Sequence, residues 1–170
     1  LSDRTTTEPT TADLDARRPA RRYPDRPIIA VLAVVLRDEQ ALIVQRAQQP
    51  NAGRWGFPGG VLELGETVAD GAMRELFEET GIVAKPAGVL DVHDAITRDA
   101  DGRVQFHYLL IAVRGIWQSG EGEPADDAAA CAWVTRDEIV AGRYPTFPTL
   151  LPLLDRAMKP ADNGHPAAAP

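Results

Sequence analysis

Glu75, Glu78 and Glu79 stand at i, i+3 and i+4, the spacing that brings side chains together on one side of an α-helix. Like charges so placed repel by a few tenths of a kcal/mol per pair. They also sit in the last turns of the helix expected from Val68 to about Gly81, where negative charge opposes the helix dipole by about 0.3 to 1 kcal/mol per group when exposed. Arg74 can neutralise only one of them. An arrangement that is unfavourable twice implies a cation absent from the sequence, and hard carboxylate oxygens suit Mg²⁺, with Mn²⁺ as a substitute. The competing reading is a solvated acidic helix face.

A glycine-rich stretch precedes the carboxylates. Gly53 to Thr67 contains Gly56, Pro58, Gly59 and Gly60, which exclude a regular helix and favour tight turns with exposed backbone groups. Thr67 with Asp70 three residues on marks the helix start, and Gly81 stands where a left-handed closing residue belongs. Val68, Ala72 and Leu76, with Ala69, Met73 and Phe77, are the expected buried stripe.

Gly60, Glu66, Arg74, Glu75, Leu76, Glu78, Glu79, Gly81 and Ile82 together resemble the signature box of the Nudix hydrolases at every fixed and aliphatic position. At average residue usage such a match arises by chance on the order of once in a billion windows. The resemblance implies an α/β fold, a Nudix-type α/β/α sandwich around a mixed β-sheet, and Mg²⁺-assisted attack of water on a diphosphate. By the same resemblance Glu78 and Glu79 are metal ligands, with the carbonyl of Gly59 as a further one. Glu75 is either another ligand or the catalytic base, and Glu66 and Arg74 orient the cluster. Some relatives take a carboxylate from a later loop; here 120–127 offers Glu121, Glu123, Asp126 and Asp127, of which Asp127 is the expected accessory group, against the alternative of a solvated acidic loop.

The stretches Asp91 to Asp94, Arg98 to Arg103 and His107-Tyr108 look like the branch of the family labelled ADP-ribose pyrophosphatase. That resemblance makes ADP-ribose, split to AMP and ribose 5-phosphate, the leading substrate. The alternatives are pyrophosphate removal from a nucleoside triphosphate and a non-catalytic module that binds a nucleotide. Arg46 and Arg54 can pair with phosphate oxygens and Trp55 can stack on a base, or all three can serve surface packing. His107 shares strand parity with Leu109 and Ile111, as a packed, hydrogen-bonded histidine would. Trp117 and Trp133 read as core or rim, and Pro145 to Pro148 as a turn.

These groups need a frame. Ile28 to Leu36 and Ala41 to Arg46 are β-branched-rich runs around Arg37–Gln40, which predicts one hairpin. Val89 to Thr97 and Arg103 to Arg114 around the Asp-Gly turn at Asp101-Gly102 predict a second. A short strand at Ala132–Val134, a capped helix from Thr135 to about Ala141 and a closing helix over Thr149–Met158 complete a domain spanning 27–159. Residues 1–26 and 160–170 lack the large apolar side chains that would offset ordering entropy, and are expected to be a flexible arm and tail.

Composition limits the partners. A formal charge of -7 over 170 residues disfavours nucleic acid and anionic membranes, so a phosphate-bearing small molecule needs a positive mediator. The single cysteine, Cys131, excludes an internal disulfide and reads as a small buried residue. No apolar run approaches a membrane span, and a cytoplasmic location is expected. A homodimer is compatible with the sequence and not derivable from it.

Overall fold

The computed structural model describes residues 21–49 and 51–159. The tail expected over 160–170, and the arm expected over 1–26 apart from its last six residues, lie outside the described residues. Of those six, Tyr23 is docked: its amide donates to the Gln105 carbonyl (2.8 Å) and its hydroxyl to Asp99 (3.0 Å).

The elements run β1 (Ile28–Arg37), β2 (Gln40–Arg46), β3 (Trp55–Gly56), β4 (Gly59–Val61), α1 (Val68–Thr80), β5 (Val83–Arg98), β6 (Val104–Ser119), β7 (Ala128–Thr135), α2 (Arg136–Val140) and α3 (Leu150–Ala157). They form one mixed sheet. β1 pairs parallel with β6 from Ile28–Tyr108 to Leu36–Ile116, while β1–β2, β5–β6 and β2–β7 are antiparallel. Alternation along β1 divides the core. Val31, Ala33 and Val35 pack with Ala72 and Leu76 of α1, whereas Val34 packs with Leu150, Leu153 and Leu154 of α3. With helices on both faces, β1 reads as a nearly continuous apolar run rather than an alternating one. This is the expected α/β/α sandwich.

The first hairpin turns more tightly than expected. β1 and β2 pair up to Arg37–Gln40, leaving only Asp38 and Glu39 in the turn, both with positive φ (48° and 65°), the backbone of a primed two-residue turn. Beyond Leu36–Ala41 the two strands part. β4 takes up β1 at Ala30–Leu32 and β3 takes up β2 at Val44–Gln45, so the glycine-rich segment wedges between them as two short strands. The second hairpin is longer than expected because Val83–Pro86 also pairs with Gly115–Ser119, with register shifts between Pro86 and Asp91 that accommodate the proline. β7 is longer too: the alanine-rich run from Ala128 is a strand because β2 pairs along it.

α1 starts and ends as expected, with the Thr67 hydroxyl accepting from the Asp70 amide (3.1 Å) and Gly81 left-handed at φ 66°. The Thr135–Glu138 capping box is present. One member of the expected stripe is misplaced. Ala72 and Leu76 are fully buried, but Phe77 is 57% exposed, and Glu79 (8%) and Thr80 (1%) are buried instead. The 120–127 loop covers that end of α1, its Glu123 and Ala125 amides donating to the carbonyls of Thr80 and Glu79 (both 2.9 Å). Cys131 is only partly buried. His107 is a packed histidine, its Nε2 3.4 Å from Asp94 across the β5–β6 pair. Among the described residues no helix is long and apolar enough to cross a membrane.

Candidate active site

The two short strands aim the glycine-rich backbone at the acidic face of α1, and the glycines are needed there for space. A Cβ at Gly59 would overlap the Val31 carbonyl oxygen, one at Gly60 would overlap the Glu75 carboxylate, and one at Gly71 would meet Leu62 at 2.7 Å. Omitting side chains lets β4 lie against β1 and lets α1 press its carboxylates onto β4.

Arg74 organises the cluster. Its Nε and Nη2 donate to the two oxygens of Glu66 (2.6 and 3.0 Å), while Nη1 donates to Glu75 (2.8 Å) and Glu78 (2.9 Å). Glu66 also accepts from the Glu63 amide (3.0 Å). The Arg74 fork, with that amide, holds the Glu66 carboxyl down at about 2, so Glu66 is an anion at any physiological pH, and its partner Arg74 is held charged in turn. Such a bidentate guanidinium–carboxylate pair gives orientation as well as energy.

The inner carboxylates behave differently. Glu79 accepts from the Gly59 amide (3.0 Å), and burial pushes it up to about 7; Gly59 and Arg46 pull it back, while Glu75 and Asp127 push it further. Glu75 is raised chiefly by burial, against the pull of Arg74, with Glu78 and Asp126 adding to the rise. A buried and a partly buried carboxylate raised together mark a place where positive charge would be welcome. The donor set is all hard oxygen, which fits Mg²⁺ or Mn²⁺. Among the described residues no three such groups already converge as a cage, since Glu75 and Glu78 are turned onto Arg74 and Glu79 onto Gly59.

This arrangement carries a pH dependence. The carboxyl of Glu79 titrates near 7 in the fold against 4.5 ordinarily, so the cation-free folded state holds a proton that the unfolded chain has lost. Its stabilising contribution is complete below about 4.5 and is lost as pH rises through about 7. Glu66, shifted the other way, changes only below about 4.5. Because a ligating carboxylate must shed its proton, Mg²⁺ should raise the melting temperature more at pH 8 than at pH 6. Thermal melts with and without Mg²⁺ at both values check this; an equal or smaller rise at pH 8 would remove Glu79 from the ligand set.

The other candidates divide. The charge of Asp127 raises Glu79 slightly and that of Asp126 raises Glu75 slightly, while Arg46 acts on Glu79 with the opposite sign. The Ala47 amide donates to the Asp127 carbonyl (3.0 Å) and Gln48 donates to the Asp127 carboxylate (2.6 Å). Asp126, the neighbour of the expected accessory group, has φ at 48° and adds a small electrostatic push to Glu75; nothing local in the sequence distinguishes the two. Arg54 and Trp55 are engaged elsewhere. Arg54 donates to the Thr146 carbonyl (3.3 Å) and lies over the Phe147 ring, while Trp55 meets Tyr144 edge-on at 5.1 Å and exchanges backbone hydrogen bonds with Pro145 and Phe147. Both residues thereby tie β3 to the segment read as a turn.

A mixed sheet parted by a glycine-rich wedge, with an acidic helix laid across it, defines the class of an α/β protein whose candidate site is built of carboxylates. The chain belongs to the Nudix family, whose NUDIX domain model matches residues 26–155. It is 35% identical over 102 residues to an ADP-ribose pyrophosphatase of Methanocaldococcus jannaschii, covering 60% of this chain and 58% of that protein. It is 34% identical over 116 residues to phosphatase NudJ of Escherichia coli, covering 68% of this chain and 72% of that one. A solved MutT NUDIX hydrolase from Burkholderia pseudomallei superposes with a TM-score of 0.67 at 28% identity, over 78% of this chain and 98% of the other. The chain thus spans under two thirds of the archaeal relative and most of the bacterial ones.

Proposed function

We propose that this protein uses Mg²⁺, replaceable by Mn²⁺, to hydrolyse the diphosphate of a nucleoside diphosphate linked to a second moiety, with ADP-ribose as the leading substrate. The observation that carries the metal-dependent reading is Glu79: buried, raised to about 7, and flanked by a second raised carboxylate. The similarity to a protein named ADP-ribose pyrophosphatase supports the substrate. Glu78 and Glu79 would hold the cation, with Glu75 and the Gly59 carbonyl as further candidates. When bound, the ion lowers the pKa of water and neutralises charge on phosphate oxygens.

The chain's own residues do the positioning. Arg74 fixes Glu75 by one hydrogen bond and is itself fixed by Glu66 through two. If Glu75 is free of the ion, its raised affinity for a proton suits it to take one from the attacking water. Asp127, or Asp126, is the alternative acceptor from the loop. Arg46, whose charge is felt at Glu79, would pair with a phosphate oxygen. Water adds to one phosphorus, the bridging P–O bond breaks, and the products are AMP and ribose 5-phosphate.

Incubation with Mg²⁺ and either ADP-ribose or a nucleoside triphosphate, followed by ³¹P NMR of the products, tests the assignment. AMP with ribose 5-phosphate is expected from the first. Pyrophosphate release from the triphosphate without cleavage of ADP-ribose would replace this substrate with the nucleotide-sanitising alternative. Binding without hydrolysis of either would favour the regulatory module.

A further inference from the structure

The 120–127 loop presents a physical problem. It carries Glu121, Glu123, Asp126 and Asp127 and lies against a helix end already crowded with Glu75 and Glu79. Like charge should drive it into solvent, and an irregular segment must also bear the entropy of being ordered. Something has to hold it down.

The holding point is at its beginning. Arg37, at the end of β1, has its guanidinium 4.4 Å from the Trp133 ring centroid and 5.3 Å from that of Trp117, and pairs with Glu121 at 3.1 Å. The attraction of a guanidinium to an indole face is stronger where the cation is partly withdrawn from water, as Arg37 is. The same two indoles bond the loop backbone: Trp117 Nε1 donates to the Gly120 carbonyl (3.0 Å) and Trp133 Nε1 to the Glu121 carbonyl (2.8 Å). Gly120, at φ 94°, passes so close to the end of α1 that a Cβ there would meet the Gly81 carbonyl at 2.8 Å. Downstream, the Glu123 and Ala125 amides reach the carbonyls of Thr80 and Glu79, which leads directly to Asp126 and Asp127.

We propose that Arg37 is a positioning residue for the active site: held between Trp117 and Trp133 and paired with Glu121, it pins the 120–127 loop to α1 and so sets where Asp126 and Asp127 stand beside the glutamates. The proposal rests on the reading that loop carboxylates take part in the reaction. Arg37 itself acts only through the loop.

Amide hydrogen exchange resolved by NMR on the full chain tests this without turnover. In Arg37→Met, exchange at Glu123 and Ala125 should accelerate by about tenfold or more while that at Gly81, bonded to Phe77 within the helix cap, stays unchanged. Unchanged exchange at the two loop amides overturns the proposal. Should all three accelerate together through general unfolding, Glu121→Ala decides, since it removes the exposed partner of Arg37 and leaves both indoles in place: acceleration confined to the loop supports the proposal, and none overturns it. With ADP-ribose and Mg²⁺, Arg37→Met should lower kcat roughly tenfold, and should add little further loss in an Asp126→Asn, Asp127→Asn background. Full additivity would mean that Arg37 acts elsewhere and overturns the positioning role. If the doubly substituted loop alone leaves kcat intact, the loop-carboxylate reading fails and takes the positioning role with it, while exchange still reports whether Arg37 anchors the loop. If the unaltered protein does not cleave ADP-ribose, only the substrate assignment fails, and the exchange result stands.

Discussion

Glu78→Gln is expected to lower Mg²⁺-dependent turnover by about a thousandfold or more, the scale of several kcal/mol of lost charge stabilisation, with a melting temperature close to that of the parent. The two halves of that expectation have separate grounds. Glu78 is the most exposed of the three helix glutamates, and it accepts one hydrogen bond from Arg74 (2.9 Å). Gln keeps the size and an oxygen for that bond, so folding loses little; what it removes is the charge that a divalent ion needs. Steady-state kinetics beside a thermal melt separates the two effects. Full turnover in the variant would show that Glu78 is no ligand.

Gly59→Ala should be the most damaging one-carbon change in the wedge. The added methyl would overlap the Val31 carbonyl oxygen and approach the Leu32 side chain at 2.9 Å, and backbone cannot step aside as a flexible side chain can. Overpacking of this kind costs about 1 to 3 kcal/mol or more, equivalent to a melting point roughly 4 to 8 °C lower per kcal/mol in a domain of 60 to 100 residues and less in a larger one. Activity should fall further than stability predicts, because displacing β4 also moves the Gly59 amide off Glu79. Gly65→Ala is the control: φ is 91° but open space surrounds the position, so only backbone strain is added. A Gly59→Ala variant as stable as Gly65→Ala would contradict the steric account.

The glutamate helix was legible in one dimension because helical geometry converts spacing into adjacency: i, i+3 and i+4 meet wherever the helix lies. Thr67, Gly81 and the Thr135–Glu138 box act within a few residues of themselves, and all three cap as their local chemistry requires. Phe77 shows the limit of this reasoning. Helical periodicity placed it on the buried stripe, yet it is exposed, while Glu79 and Thr80 are covered at the end of α1 that meets a loop from more than 40 residues further along the chain. The short wedge strands were equally unreadable, since glycine-rich sequence signals loop unless a neighbouring strand supplies the hydrogen bonds. Trp117 and Trp133, read merely as core or rim, meet at Arg37 only because β6 lies beside β1 and β7 beside β2.

By itself, then, the sequence determined the family, the carboxylate helix and most of the strands, all consequences of local spacing and alternation. Tertiary structure alone decided that burial raises Glu79 to about 7 and Glu75 in the same direction, that the 120–127 loop bonds the end of α1, and that Arg54 and Trp55 are spent on the segment around Thr146. Burial and electrostatic field depend on what the rest of the chain brings close. That proximity is set by strand pairing across long sequence separations, for which no local pattern carries the information.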